Sequence, residues 1–226
     1  TVTMGLRLVE ALGLPTIGQV QTPRVPAENW HQRLEQLGLT GITNYVVIHP
    51  NPKFRYKMWD SNKWITLICW LRQQGIEVLL TGSGDPSEAA YVRDIASKVP
   101  EGCRCLTGLL SLAETAELLK GARLFVGPDT AVTHLAAATG IPTIALFGPS
   151  NPVKWGPWPK DWPASKSPWQ FVGSKQQGNV RLMQGPGDCV PCLFEGCDRH
   201  LDSVSKCLQD ISTERVINAA QEALST

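Results

Sequence analysis

The chain has 226 residues, of which 42% are hydrophobic and 18% are charged, and its formal net charge is +1. This length and apolar content suffice for one large α/β domain, and the near-neutral charge gives no electrostatic signature for nucleic acid. No apolar run reaches the ~20 residues that span a bilayer, and the N-terminus lacks the pattern of a signal peptide. We therefore expect a soluble, cytoplasmic protein that does not bind nucleic acid.

The first 42 residues precede the first predicted strand. Two amphipathic stretches, residues 4–13 and 26–38, predict short helices, and a linker containing two prolines and a glycine joins them. No strand is predicted in this segment. We expect it to lead into a domain that begins at residue 43.

From residue 45 onward, predicted strands and helices alternate. Five apolar runs predict strands, at residues 45–50, 76–84, 103–108, 123–127 and 142–148. Each of the first four is followed by a stretch with helical periodicity and recognisable start or stop residues. Because the strands are continuously apolar, they indicate a parallel sheet that is buried on both faces. Right-handed crossovers then give a doubly wound, Rossmann-like α/β domain.

Residues 148–210 lack this alternation and are rich in proline and tryptophan, which predicts a long irregular segment before a final helix at 212–224. Four of the seven cysteines lie near its end: Cys189, Cys192, Cys197 and Cys207. A Cys-x2-Cys pair followed by two more cysteines can hold a structural zinc ion, but reduced thiols or disulfides that tie the loop are the favoured interpretation. The sequence leaves these readings open. The other three cysteines are interpreted as core thiols.

Ligands of a doubly wound sheet bind beyond the carboxyl ends of its strands. After the fourth predicted strand, the sequence Gly-Pro-Asp-Thr opens a helix, with Asp129 at the predicted N-cap and free amides at Thr130 and Ala131. His134 follows one helical turn later. This pattern fits an anion site at a helix N-terminus, and it fits equally a plain helix cap beside a buried histidine.

A basic loop after the first predicted strand favours the anion site. Lys53, Arg55 and Lys57 lie within five residues, and the loop falls at the same end of the predicted sheet. Lysine and arginine are suited to neutralising phosphate, although such a loop can also be merely solvated. The turn at residues 81–85 does not match the G-x-G-x-x-G fingerprint, which disfavours a nicotinamide-dependent dehydrogenase.

Two stretches together resemble glycosyltransferase family 9, the lipopolysaccharide heptosyltransferases. They are VGPDTAVTHLAAATGIPTIALFGPSNP at residues 126–152 and HPNPKFRYKMWDSNKW at residues 49–64. The resemblance extends over residues 43–226. It implies the GT-B architecture of two Rossmann-like domains, with residues 43–226 as the C-terminal, donor-binding domain. Residues 1–42 would be the end of a missing N-terminal domain and the segment between the domains.

Carried over position by position, the family pattern implies that Lys57 contacts the phosphates or the sugar of the donor, ADP-heptose. Asp129 would bind the heptose hydroxyls or help to orient the donor. Thr130 and Ala131 would donate backbone N–H groups to the pyrophosphate, and His134 would lie beside it.

The same resemblance places Leu110 against the adenine and Glu88 at the ribose. It implies inverting transfer of heptose to the lipopolysaccharide inner core, with no cofactor required. The acceptor and the catalytic base would belong to the N-terminal domain, so that no catalytic residue is expected in this chain and the fragment alone is expected to be inactive. Peripheral association with the inner face of the inner membrane would follow. The alternatives are a GT-B enzyme that uses another nucleotide-sugar and a non-catalytic nucleotide-binding module.

Overall fold

A computed structural model describes residues 2–163 and 166–225. Its centre is a seven-stranded sheet with helices on both faces. The strands are β1 Tyr45–Ile48, β2 Glu77–Leu80, β3 Cys103–Cys105, β4 Leu124–Pro128, β5 Thr143–Phe147, β6 Lys175–Gln177 and β7 Val180–Gln184. The helices are α1 Val2–Ala11, α2 Ala27–Gln36, α3 Ser61–Gln73, α4 Pro86–Ser97, α5 Leu112–Lys120, α6 Ala131–Thr139, α7 Pro152–Trp155, α8 Lys206–Gln209 and α9 Thr213–Leu224, with a 3-10 turn at Arg55–Lys57.

The strand order is β3-β2-β1-β4-β5-β7-β6, and all neighbouring pairs are parallel except β6 and β7. The predicted Rossmann-like α/β fold is thus confirmed. The chain moves outward from β1 to β3 and then returns to place β4 on the other side of β1. In open parallel sheets, this reversal of direction creates a crevice at the carboxyl ends of the two central strands.

The core consists of apolar layers on the two faces of the sheet. On one face, α3 and α9 cover the central strands, and the fully buried rings of Trp59 and Trp64 meet edge to face with centroids 4.8 Å apart. On the other face, Phe125 of β4 packs with residues of α5 and α6. Because both faces are covered, the central strands β1, β4 and β5 are buried along their whole length, as their apolar sequences predicted.

Side-chain caps define where the helices begin. Asp60 accepts hydrogen bonds from the amides of the first turn of α3, and Ser111 forms a complete capping box with Glu114 at α5. The prediction that Asp129 caps α6 is wrong: the cap is Thr130, whose hydroxyl accepts from the Thr133 amide at 3.3 Å. Asp129 thereby remains free for a different interaction.

The segment predicted to be irregular contains more regular structure than expected. It contributes α7, α8 and a β6–β7 hairpin, and β7 pairs in parallel with the whole length of β5. The indoles of Trp158 and Trp169 are buried in the same segment, and Trp169 donates to the Pro157 carbonyl at 2.9 Å. The hairpin was missed because β6 is short, polar and exposed, so that its sequence lacks the apolar run of a buried strand.

All seven cysteines are free thiols. Cys207 is buried, whereas Cys189 and Cys197 are exposed, and within residues 2–163 and 166–225 no group of three or more His, Cys, Asp or Glu side chains could hold a metal ion. The arrangement therefore fits neither the zinc nor the disulfide interpretation. Cys69, Cys103 and Cys105, interpreted as core thiols, are half-buried.

The two predicted N-terminal helices are present as α1 and α2. Arg33 of α2 forms an ion pair with Glu114 at 2.9 Å, and the amide of Val25 donates to Glu117, so that this segment is attached to α5. Large apolar side chains of α1, such as Leu8, are exposed. Among the residues that the structure describes, no helix is long and apolar enough to cross a membrane.

Candidate functional site

A cavity of about 1140 Å³ lies at the carboxyl edge of the sheet, at the switch point between β1 and β4. Four loops contribute to it, those that follow β1, β2, β3 and β4. All seven residues proposed from the sequence line it: Lys57, Glu88, Leu110, Asp129, Thr130, Ala131 and His134. The fold therefore brings together residues that span more than 70 positions of the chain.

An ion pair between Lys57 and Asp129 crosses the cavity floor. The Lys57 Nζ atom lies 2.6 Å from Asp129 Oδ2, and the two side chains are only 18% and 8% exposed. Asp129 Oδ2 is buried and has no hydrogen-bond partner among the described residues apart from this ion contact. A pair of opposite charges so withdrawn from water is costly to desolvate, which is typical of a site that has to meet a charged ligand.

The N-terminus of α6 opens into the same cavity. Thr130 caps it and Ala131 is exposed in its first turn. The N–H groups of a first helical turn have no partner within the helix, and the helix dipole adds partial positive charge there. Together with the ammonium group of Lys57, α6 forms a site suited to an anion with several oxygens, such as a pyrophosphate.

His134 lies one turn further along α6. Burial lowers its pKa, and the nearby Asp129 carboxylate opposes that effect only in part. The imidazole is therefore neutral near pH 7 and can act towards a ligand as a hydrogen-bonding group rather than as a cation.

His49 lies near the end of the first predicted strand, beside the basic loop, and is a buried part of the cavity wall. Its Nδ1 atom lies 3.0 Å from the Thr81 hydroxyl, and burial lowers the pKa of His49 to about 4. This contact joins the loop after β1 to the loop after β2. The available signal was its position, directly before the proline that ends the first predicted strand.

The other side of the cavity combines an acidic and an apolar surface. Glu88 lies in the first turn of α4 and accepts a hydrogen bond from the Ser83 hydroxyl. Leu110, on the loop that follows β3, and Leu112, the first residue of α5, provide apolar surface. A carboxylate beside a hydrophobic shelf suits a nucleoside, because it offers an acceptor for ribose hydroxyls and a face for the base.

Three further lining residues could not be found by reasoning on sequence. Trp155 lies at the rim, 43% exposed, with the Lys154 ammonium 4.8 Å from its ring centroid. Asp202 and Met58 also line the cavity. Trp155 and Asp202 belong to the segment that was predicted to be irregular, and no periodicity indicated their position.

The model of the family described as glycosyltransferase family 9 (heptosyltransferase) matches residues 8–184, well over half of the chain. The chain belongs to this family.

Among its relatives, lipopolysaccharide heptosyltransferase 3 from Escherichia coli is 34% identical over 163 residues, which cover 70% of this chain and 47% of that protein. Similar solved structures include E. coli ADP-heptose LPS heptosyltransferase II, with a TM-score of 0.69 and 22% identity over 95% of this chain and 56% of that one. Another is the E. coli heptosyltransferase WaaC with ADP, with a TM-score of 0.61 and 22% identity over 95% and 53%. This chain spans about half the length of the curated relatives that it matches.

Proposed function

We propose that this chain binds ADP-heptose and forms the donor-binding half of a glycosyltransferase that adds heptose to the lipopolysaccharide inner core. The observation that carries the proposal is the convergence of Lys57 and the α6 N-terminus on one cavity at the switch point of the sheet. Membership of a family of heptosyltransferases supports the choice of donor.

The proposed donor runs from the apolar shelf to the ion pair. The adenine lies against Leu110, and the ribose hydroxyls hydrogen-bond to Glu88. The pyrophosphate meets Lys57 and the first-turn amide of Ala131, and the heptose hydroxyls bind Asp129. In support of a nucleotide at this place, the similar structure of WaaC was determined with ADP.

Thr130 and His134 complete the proposed phosphate site. Thr130 holds the first turn of α6 in the geometry that leaves its amides free, and it contributes its own backbone N–H. The neutral imidazole of His134 hydrogen-bonds to a phosphate oxygen without adding charge.

The chemistry follows from where charge develops. In glycosyl transfer from ADP-heptose, the bond from the anomeric carbon to the phosphate oxygen breaks, and negative charge grows on the departing ADP. A fixed helix N-terminus and a lysine stabilise that charge better in the transition state than in the ground state. Since positive charge is already supplied in this way, we expect transfer without a metal cofactor.

The catalytic base and the acceptor site are proposed to lie outside this chain. The acceptor hydroxyl attacks the anomeric carbon from the face opposite the departing ADP, and it needs a base to take its proton. We do not assign that role to any carboxylate of this chain. Because the relatives are about twice as long, we propose that the base and the lipopolysaccharide acceptor bind to an additional domain. This chain alone is then expected to bind donor without transferring heptose, and contact with the membrane surface would follow from the lipid-bound acceptor.

Calorimetric titration of the purified chain with ADP, UDP and adenosine tests the proposal. We expect saturable ADP binding, UDP binding at least roughly tenfold weaker, and a large loss of affinity when the phosphates are absent. Equal or tighter binding of UDP would indicate a different nucleotide-sugar. Absence of ADP binding by the folded chain would contradict the donor site.

A further inference from the structure

The backbone on both sides of Lys57 is held by side chains from the C-terminal part of the chain. The Ser205 hydroxyl donates to the carbonyl of Tyr56 at 2.6 Å, and the Gln209 side-chain amide donates to the carbonyl of Met58 at 2.7 Å. These two carbonyls belong to the residues immediately before and after the lysine. The lysine backbone is therefore fixed at two points from outside the cavity wall.

Side chains that follow Lys57 in turn donate hydrogen bonds to the backbone of residues 209 and 211. The Trp59 indole donates to the carbonyl of Ile211 at 2.9 Å. The Lys63 ammonium donates to the Ile211 carbonyl at 3.0 Å and also to the carbonyl of Gln209. We call residues 205–211 the support segment, because it meets the Lys57 loop through both its side chains and its backbone.

The turn that carries Lys57 has little structure of its own. It is a single 3-10 turn whose backbone bonds run from the Lys57 amide to Phe54 and from the Met58 amide to Arg55, and no side chain caps it. Short 3-10 turns have poorer hydrogen-bond geometry than α-helices and rarely persist alone. The conformation of this turn must therefore come from its surroundings.

The support segment, in contrast, is firmly embedded. Ser205 and Leu208 are each 1% exposed, Ile211 is fully buried, and the Cys207 thiol is buried as well. A segment so buried can act as a fixed reference for the exposed loop that it touches.

We propose that Ser205 and Gln209 are positioning residues for donor binding. They fix the two carbonyls that flank Lys57, so that its ammonium group is already in place when the pyrophosphate arrives. Preorganisation of this kind strengthens binding by removing the cost of ordering the loop. The inference rests on the proposed function, since it assumes that Lys57 binds the phosphates of the donor.

Two variants test it in the intact chain. Ser205→Ala and Gln209→Met each remove one donor while leaving side chains of similar or smaller volume. The matched control is Asn179→Leu, because the Asn179 amide donates in the same way to the carbonyls of Ala137 and Ile141, outside the cavity. Calorimetry with ADP and with adenosine, and hydrogen exchange of the peptide covering residues 54–59, provide the readouts.

We expect each variant to weaken ADP binding roughly three- to tenfold while adenosine binding stays unchanged, since only ADP presents phosphates to Lys57. Exchange of peptide 54–59 should accelerate in both variants. Asn179→Leu should change neither quantity, although it too loses hydrogen bonds. A purely structural role would weaken both ligands together.

The inference is overturned by wild-type ADP affinity in both variants, by a parallel loss of adenosine affinity, or by unchanged exchange at residues 54–59. Failure of the proposed function looks different: the unmodified chain would not bind ADP at all. In that case the exchange measurement still decides whether the support segment holds the turn, and unchanged exchange overturns the inference.

Discussion

The two ends of the parallel sheet both carry ion pairs, but in different surroundings. At the carboxyl end, Lys57 and Asp129 lie 2.6 Å apart with side chains 18% and 8% exposed. At the amino end, Arg181 and Glu222 lie at the same distance with side chains 30% and 64% exposed. The separation of the charged atoms is equal, whereas the exposure of the side chains differs.

This difference separates a buried pair that we propose to serve a ligand from a more exposed pair at the surface. A hydrated ion pair such as Arg181–Glu222 contributes little to the free energy of unfolding, because water and salt already stabilise each charge. A buried pair is costly, and a fold retains it where another requirement outweighs the cost. The helix N-termini also converge at the carboxyl end, which makes that edge electropositive.

The strongest test of the contrast is Lys57→Met. We expect ADP affinity to fall roughly 10- to 100-fold, because a charge-assisted contact to phosphate is lost. The free energy of unfolding should fall by about 2–3 kcal/mol, because Asp129 is left buried without its cation. Calorimetry and urea denaturation measure the two effects.

The control for that variant is Arg72→Met, which breaks the ion pair of Arg72 with Glu77 at the amino end. ADP affinity should not change. The double variant Lys57→Met/Asp129→Asn should recover much of the lost stability without recovering ADP affinity. If the double variant binds ADP normally, the contrast between the two ends is refuted.

The next effect concerns pH and the buried His49. Because burial lowers the pKa of His49 to about 4, from an ordinary value of 6.5, the folded state keeps the ring neutral while the unfolded chain takes up a proton. The free energy of unfolding should therefore fall as the pH drops below 6.5, by about 2 kcal/mol between pH 7 and pH 5. Above pH 6.5, His49 should have no effect.

Urea denaturation at pH 7 and pH 5 measures this loss. His49→Asn should remove the part of the difference that is due to His49, while His134, whose pKa is also lowered by burial, continues to contribute. His31→Asn is the matched control, since it makes the same substitution at a side chain that is 70% exposed on α2. An unchanged pH dependence in His49→Asn would place the responsible group elsewhere.

A smaller effect separates the α6 cap from other caps. Thr130→Ala and Ser212→Ala each remove a hydroxyl that accepts from a backbone amide, and each should reduce the free energy of unfolding by about 1 kcal/mol. Of these two variants, only Thr130→Ala should also weaken ADP binding, because the N-terminus of α6 lines the cavity and that of α9 does not. Equal ADP affinities in the two variants would argue against pyrophosphate binding at α6.

The smallest effect is expected for Glu222→Gln at the amino end. Removing one exposed charge of the pair with Arg181 should change the free energy of unfolding by about 0.5 kcal/mol or less, and ADP affinity not at all. A loss of several kcal/mol would show that the hydrated pair matters as much as the buried one.

The sequence predicted β1 to β5 well, because buried parallel strands and capped helices leave strong local patterns. The start residues recognised in the sequence include those of α3 and α5, which Asp60 and Ser111 cap in the structure. The cap of α6 was misassigned by one residue, since Asp129 and Thr130 are both good caps and only the Lys57 contact decides between them. The N-cap propensity of a residue carries no information about a contact with a residue so far away in the sequence.

The candidate site shows the same limit. Residue patterns alone left the loop of Lys57 open between a solvated loop and a phosphate site, and the family resemblance supplied the individual roles. The contact of His49 with Thr81 and the supports at Ser205 and Gln209 had no signal in the sequence, because they depend on segments that meet only in the folded chain. The β6–β7 hairpin was hidden for a similar reason, since its place in the sheet is set by β5.

The hydrogen bond from Trp59 to Ile211 joins residues 152 positions apart. Contacts of such long range form late in folding, because the entropy cost of closing a large loop has to be met before the contact can stabilise the chain. During synthesis, the loop of Lys57 therefore exists long before the residues that give it a fixed shape. A ligand that recognises the finished loop would bind only a completed chain and would stabilise the last step of its folding.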